Sequence, residues 1–92
     1  MIKAGEKAVR IATYNDDTSS LSVGDNSVSL TVPNTATEIL AVIPHGLTPK
    51  TNWDTIGYFG QVSISGTTAS VGVHVIGSRS QVYVIRYTVI YR

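Results

Sequence analysis

Apolar side chains recur at every second position along most of this chain, and no other feature of the sequence constrains its fold as strongly. The pattern is clearest from Gln81 to Arg92, QVYVIRYTVIYR, where every second residue from Tyr83 to Tyr91 is aromatic or β-branched. Successive side chains of a β-strand point to opposite faces of a sheet, so this spacing gives the segment one wholly apolar face. The spacing of an amphipathic helix is absent, and the sequence therefore predicts an all-β protein.

Other segments show the same alternation. They are KAVRIATY at 7–14, NSVSLTVP at 26–33, TEILAVIP at 37–44, TIGYFGQVSIS at 55–65 and ASVGVHVI at 69–76. The third is apolar on both faces and ends at Pro44, which predicts an interior strand that stops there. In the last, the valines alternate with Ser70, Gly72 and His74, so the valines are predicted to face the core. The SGT at 65–67 predicts a tight reversal and thus a β-hairpin.

The polar segment NDDTSSLSVGDN, 15–26, predicts a loop, with a short edge strand at Leu21 to Val23 as an option. Asp25 and Asn26 after Gly24 are typical of a turn. About six to eight strands with no helices between them predict antiparallel pairing in a single β-sandwich or barrel, with a jelly roll as one version. We expect residues 8–92 to form this one β domain and residues 1–7 to form an N-terminal arm.

Charge is scarce, and this bears on the partners. Charged residues make up 14% of the chain, against about 25% in typical soluble domains. Part of the uncharged surface is therefore expected to meet another chain, and oligomerisation is the remaining way to stabilise a thin core without cysteines. The net charge of +1 has no basic cluster that would select nucleic acid. No apolar run approaches the roughly 18 residues of a membrane span, and no signal peptide is expected.

His45 lies in ILAVIPHGLTPKTNW, where it is either a general base or metal ligand, or part of a structural turn made by Pro44 and Gly46. A general base needs an orienting carboxylate, and Asp54 is the nearest candidate. His74 is an outward-facing strand residue, for which a metal site would need three copies around a symmetry axis. Nucleophile elbows, P-loops and dinucleotide fingerprints are absent from the sequence, so neither an enzyme nor a cofactor is predicted.

Trp53, Tyr58 and Phe59 are close to one another in the sequence and offer a stacking platform for a sugar ring. The alternative is that Trp53 caps one end of the sandwich core. The platform leads to a competing functional hypothesis, in which the chain is a receptor- or glycan-binding module such as a small lectin.

The segment VIPHGLTP, Val42 to Pro49, resembles a short element of small β-structured proteins of tailed bacteriophages. In that element an aliphatic pair runs into His-Gly-Leu and a proline follows, although this sequence has Thr48 where a second glycine is common. The abundance of Ser, Thr, Val and Gly without cysteine is similar to that of the decoration, or cement, proteins that sit as trimers on phage capsids. It is also similar to that of tail-fibre knobs. The sequence lacks the shaft repeats that precede knobs, which favours the decoration protein.

The resemblance implies a non-enzymatic virion protein, assembled in the host cytoplasm, that forms a homotrimer and binds the major capsid protein or another virion protein. The arm is expected to grip the capsid through Met1, Ile2, Lys3 and Lys7. The last strand is expected to form the subunit interface through Tyr83, Arg86, Tyr87 and Ile90.

Overall fold

The structure, a computed structural model, describes residues 8–50 and 54–92. It contains six β-strands, and helices are absent from these residues. In chain order the strands are β1 (Arg10–Asp17), β2 (Gly24–Ser29), β3 (Ile39–Pro49), β4 (Ile56–Ser65), β5 (Thr68–Ile76) and β6 (Tyr83–Tyr91). Consequently, no helix in the described part of the chain is long and apolar enough to cross a membrane.

The strands form two three-stranded antiparallel sheets. One has the order β1-β6-β3 and the other has the order β2-β5-β4. Their apolar faces pack together, as in a small β-sandwich, so the predicted all-β class and antiparallel pairing are confirmed. The two most apolar strands, β5 and β6, are the central strands of their sheets, which removes their backbone groups from any open edge.

The core consists mainly of the inward faces of these two central strands, and it also includes Leu21, Ile39 and Val42. Every inward residue predicted by the alternation in β5 and β6 is buried. The buried set is Ala69, Val71, Val73, Val75, Tyr83, Ile85, Tyr87, Val89 and Tyr91. Val28, Leu30 and Val32 pack against this set from the region of β2, as their spacing predicts.

The second strand differs from its prediction at its start. Asp25 and Asn26 are paired with His74 and Val73 of β5, so GDN belongs to β2 rather than to a turn. Leu21 forms only an isolated antiparallel bridge, to Gln81, in place of the optional edge strand. Turn-forming residue types occupy a strand here because the neighbouring strand supplies the hydrogen-bonding partners, which overrides local preference.

The third strand also corrects two predictions. It pairs with β6 alone, so it lies at one side of its sheet and not in the interior. It also continues through Pro44 and His45 to Pro49. The pairing register shifts between Pro44 and Gly46, which makes His45 the extra residue of a β-bulge. A proline is tolerated in such a strand because bulges and sheet edges do not require every N–H group.

The predicted hairpin between β4 and β5 is confirmed. Ser65 pairs with Thr68, and Gly66 between them has a φ of 60°, a conformation that favours glycine. Another register shift lies between Phe59 and Val62 of β4, opposite the middle of β5. This bulge brings Gly60 and Gln61 next to Gly72 on the outer face of the sheet.

Polar contacts link the two sheets where β1 and the end of β2 approach each other. The Tyr87 hydroxyl donates to Asp16 Oδ2 at 2.6 Å and accepts from the Thr31 backbone N–H at 2.7 Å. The Thr31 hydroxyl donates to the same carboxylate oxygen at 2.9 Å. Burial, followed by the hydrogen bond to Asp16, raises the pKa of Tyr87 above its usual value of 10.0. The buried Tyr87 of the central strand β6 is thus hydrogen-bonded both to β1 of its own sheet and to the segment that follows β2 of the other sheet.

Candidate functional site

The outer face of the β1-β6-β3 sheet carries an apolar patch at one end. Ile11 of β1 and Ala41 of β3 both pair with Ile90 of β6, and Ile43 is in the next row, beside Thr88. We call Ile11, Ala41, Ile43 and Ile90 the apolar patch. The exposed fractions of Ile11 and Ile43 are 69% and 49%. Complete burial of an isoleucine side chain stabilises a protein by about 1.5–3 kcal/mol relative to leaving it exposed. Contact of Ile11 and Ile43 with a partner would therefore be favourable.

The predicted subunit interface is corrected in part. Tyr83 and Tyr87 are both 0% exposed within their own chain, because their side chains point into the sandwich. They are therefore not available for contact with another subunit. Arg86 and Ile90 lie on the opposite, outer face of the same strand, and Ile90 belongs to the apolar patch. The outer face of β6 is the side of the strand that a partner can reach.

His45 contacts a neighbouring strand residue and no carboxylate among the described residues. Its Nε2 lies 3.2 Å from the Thr88 hydroxyl on the exposed outer face of the sheet. Asp54, the carboxylate that was expected to orient it, pairs with Arg79 at 3.3 Å instead. Within residues 8–50 and 54–92, the side-chain hydrogen-bond partner of His45 is this threonine hydroxyl on an open surface, and not the charged orienting partner of a general base.

A second group of polar side chains lies on the outer face of the β2-β5-β4 sheet. Asp25 and Tyr58 flank His74 in one row across the three strands. His74 Nδ1 is 2.6 Å from Asp25 Oδ1, and the rings of Tyr58 and His74 have centroids 5.0 Å apart. A carboxylate only accepts hydrogen bonds, so Nδ1 is the donor and Nε2 of a neutral ring is left as an acceptor.

A depression of about 370 Å³ adjoins this row. Its floor is formed around Gly72, between Ser27 of β2 and the bulge at Gly60 and Gln61. Tyr58, which is 50% exposed, stands at its margin beside His74. Among the described residues that line the depression, Asp25 is the only formally charged one, apart from the titratable His74. We call this feature the outer-face depression.

The remaining candidate residues are distributed as follows. Trp53 and the whole arm, with Met1, Ile2, Lys3 and Lys7, lie outside the described residues, so their predicted contacts stay predictions. In the described ranges, no group of three or more His, Asp or Glu side chains is placed to hold a metal ion. Asp17, in the segment that was predicted to be a loop, is the last residue of β1 and forms an ion pair with Lys50.

Comparison with known proteins gives no relative: no protein-family model, curated protein or solved structure matches the chain. Sequence reasoning found Tyr58 and noticed His74, but it assigned Asp25 to a turn. No sequence signal joins these three residues, because their proximity follows from pairing between strands that are distant along the chain.

Proposed function

We propose that this chain is a non-enzymatic structural protein of a virion, a capsid decoration protein that self-associates as a homotrimer and bridges capsid subunits. The observation that carries the proposal is the apolar patch on the outer face of the β1-β6-β3 sheet. Contiguous exposed apolar patches larger than a few hundred Å² are rare on monomeric proteins and mark interaction sites, and the apolar patch is the candidate for such a site here. The virion setting is supported by the resemblance of Val42 to Pro49 and by the low charge content of the chain.

The occupant of the apolar patch that we favour is a second copy of the chain. The patch contains no charged side chain, so two or three copies bring no like charges together when these isoleucines meet. Arg86 lies at the other end of the same face, opposite Asn15, where it is exposed at the rim of such an interface. An apolar centre with a polar rim is the usual composition of a protein interface.

The mechanism of a decoration protein is physical. A shell under internal pressure opens at the contacts between its capsomers, and a trimer that binds across those contacts adds buried surface to each. Stable protein interfaces bury about 1,600 Å² in total, although area alone does not set affinity. The chain then needs two surfaces: the apolar patch for trimer formation and the arm for the capsid.

Mass measurement by multi-angle light scattering tests self-association. We expect a particle of three times 9.8 kDa for the wild-type chain. Ile11→Lys places a charge in the apolar patch and should weaken association about tenfold or more. Val23→Lys is the matched control, because Val23 is also exposed but lies outside the strands and the patch. A monomeric wild-type chain, or an Ile11→Lys variant that associates normally, would contradict the proposal.

A second candidate function is saccharide binding, and the exposed Tyr58 ring beside the outer-face depression favours it. Aromatic rings stack on the apolar faces of sugars, while nearby polar groups bind the hydroxyls. Tyr58→Ala should then weaken sugar binding about tenfold and leave the oligomeric mass unchanged, which separates this function from self-association.

A further inference from the structure

We propose that the outer-face depression binds a neutral saccharide, and that Asp25 and His74 select it by accepting hydrogen bonds from its hydroxyl groups. This inference rests on the saccharide-binding function and adds the class of sugar and the residues that choose it. It concerns the β2-β5-β4 sheet and is independent of self-association through the other sheet.

The floor of the outer-face depression is a row of small residues across the three strands. β5 has Gly72 on its outer face, and Ser27 of β2 lies beside it. The β4 bulge completes the row with Gly60, whose Cα is 3.5 Å from a Cβ built on Gly72. A row without large side chains lets a ligand approach the backbone of the sheet. The adjoining row contains Tyr58 and His74, so their two rings form one wall of the depression.

His74, beside this floor, is held by its neighbours. The central position on β5 places it between Asp25 and Tyr58, and both contact it. The hydrogen bond from Nδ1 to Asp25 fixes the ring, and contact with Tyr58 limits its rotation. An immobilised ring loses little conformational entropy on binding, which is the benefit of preorganisation.

The balance of donors and acceptors in the depression also favours a sugar. The side chain of Asp25 is 92% exposed, and its bond to His74 leaves most of its acceptor sites unused. Nε2 of a neutral His74 ring is a further acceptor, and Gln61 supplies an amide that both donates and accepts. Sugar hydroxyls are donors that match these acceptors, whereas an anionic ligand would face the Asp25 carboxylate with no Lys or Arg among the described lining residues.

The test is a nuclear magnetic resonance titration of the full, ¹⁵N-labelled chain with three probes. These are methyl β-galactopyranoside, methyl α-mannopyranoside and the methyl glycoside of sialic acid. We expect at least one neutral glycoside to shift the amides of Tyr58, Gly72 and His74, with a dissociation constant on the order of millimolar. The sialoside should bind about tenfold more weakly, because the carboxylates repel.

Four variants assign the binding to this site. Tyr58→Ala should weaken the neutral glycoside about tenfold, while Tyr58→Phe keeps the ring and most of the affinity. Asp25→Asn should weaken it severalfold and reduce the discrimination against the sialoside. Gly72→Val should block the floor, and its Cβ is in ordinary contact distance of its neighbours, so the fold is expected to persist. Leu40→Ala, on the other sheet, is the control that should change nothing.

The possible results separate the two levels of the proposal. If a glycoside binds through Tyr58 but the sialoside binds equally well, saccharide binding stands and selection by Asp25 and His74 is overturned. If no glycoside shifts any amide at about 50 mM, well above a millimolar dissociation constant, both are overturned. Shifts of the same amides by tetramethylammonium alone would instead show a cation site built from the aromatic ring and the carboxylate.

Discussion

Removal of the Tyr87 hydroxyl, by Tyr87→Phe, tests the polar link between the two sheets. The substitution keeps the buried ring, including its stacking with Tyr14 at 5.4 Å between ring centroids. It removes the bond donated to Asp16 and leaves the Thr31 N–H without its acceptor. A bond to a charged group is worth about 1.5–3 kcal/mol and a neutral one about 0.5–1.5 kcal/mol. We therefore expect a loss of about 2–4 kcal/mol in the free energy of unfolding.

The same variant has a distinct dependence on pH. The pKa of Tyr87 is raised in the folded state, so above pH 10 the unfolded chain loses this proton while the folded chain retains it. The stability contributed by Tyr87 is thus complete below pH 10 and declines as the pH rises above that value. The difference between wild type and Tyr87→Phe should narrow in this range. Burial also raises the pKa of Tyr14, which both proteins retain. The free energy of unfolding of Tyr87→Phe should therefore still fall somewhat above pH 10.

Urea unfolding followed by far-ultraviolet circular dichroism, at pH 7 and at several values above pH 10, measures both effects. Tyr58→Phe is the matched control, since the Tyr58 ring is half exposed on an outer face and its loss of a hydroxyl should cost less than about 0.5 kcal/mol. A Tyr87→Phe variant as stable as this control would refute the assigned role of the hydroxyl. An unchanged difference above pH 10 would refute the linkage argument.

Two further predictions concern packing and the arm. Gly57→Ala should lower the free energy of unfolding by about 1–3 kcal/mol, because a Cβ there would lie 2.9 Å from the buried Tyr83 ring. Gly60→Ala, whose Cβ would be 3.6 Å from Gly72, should cost less, and equal losses in urea unfolding would contradict the packing argument. Under the proposed decoration function, deletion of residues 1–7 should abolish cosedimentation with the capsids that the chain is proposed to bind and leave the circular dichroism spectrum unchanged. Unaltered cosedimentation would remove the arm from the proposed mechanism.

The burial of the two central strands was predictable because it depends on a local property. In β6 the side chains from Tyr83 to Tyr91 alternate between faces, and the more apolar face is inside. The same alternation placed the valines of β5 in the core and His74 outside. For these two strands, the one wrong prediction was a contact between subunits for Tyr83 and Tyr87, which are buried in their own chain. A strand has two faces, and one residue occupies only one of them.

The path of β3 was less predictable, because proline and glycine have different effects in different sheets. Pro44, His45 and Gly46 are typical of a turn when considered alone. In the fold they continue a strand, since β3 pairs with β6 alone and a bulge at His45 absorbs the irregularity. A proline ends a strand where a neighbouring strand requires a hydrogen bond from the N–H that proline lacks. The local sequence pattern does not identify that neighbouring strand.

The sequence by itself determined that the chain forms β-strands and which side chains of the central strands are buried. These properties follow from the fixed direction of successive side chains along a strand. Only the tertiary structure decided which strands are neighbours and in what register. Asp25 meets His74 across β2 and β5, and Ile11 meets Ile90 across β1 and β6, because of that pairing. Both candidate surfaces arise from cross-strand proximity, which hydrogen bonding between distant segments creates and local periodicity does not encode.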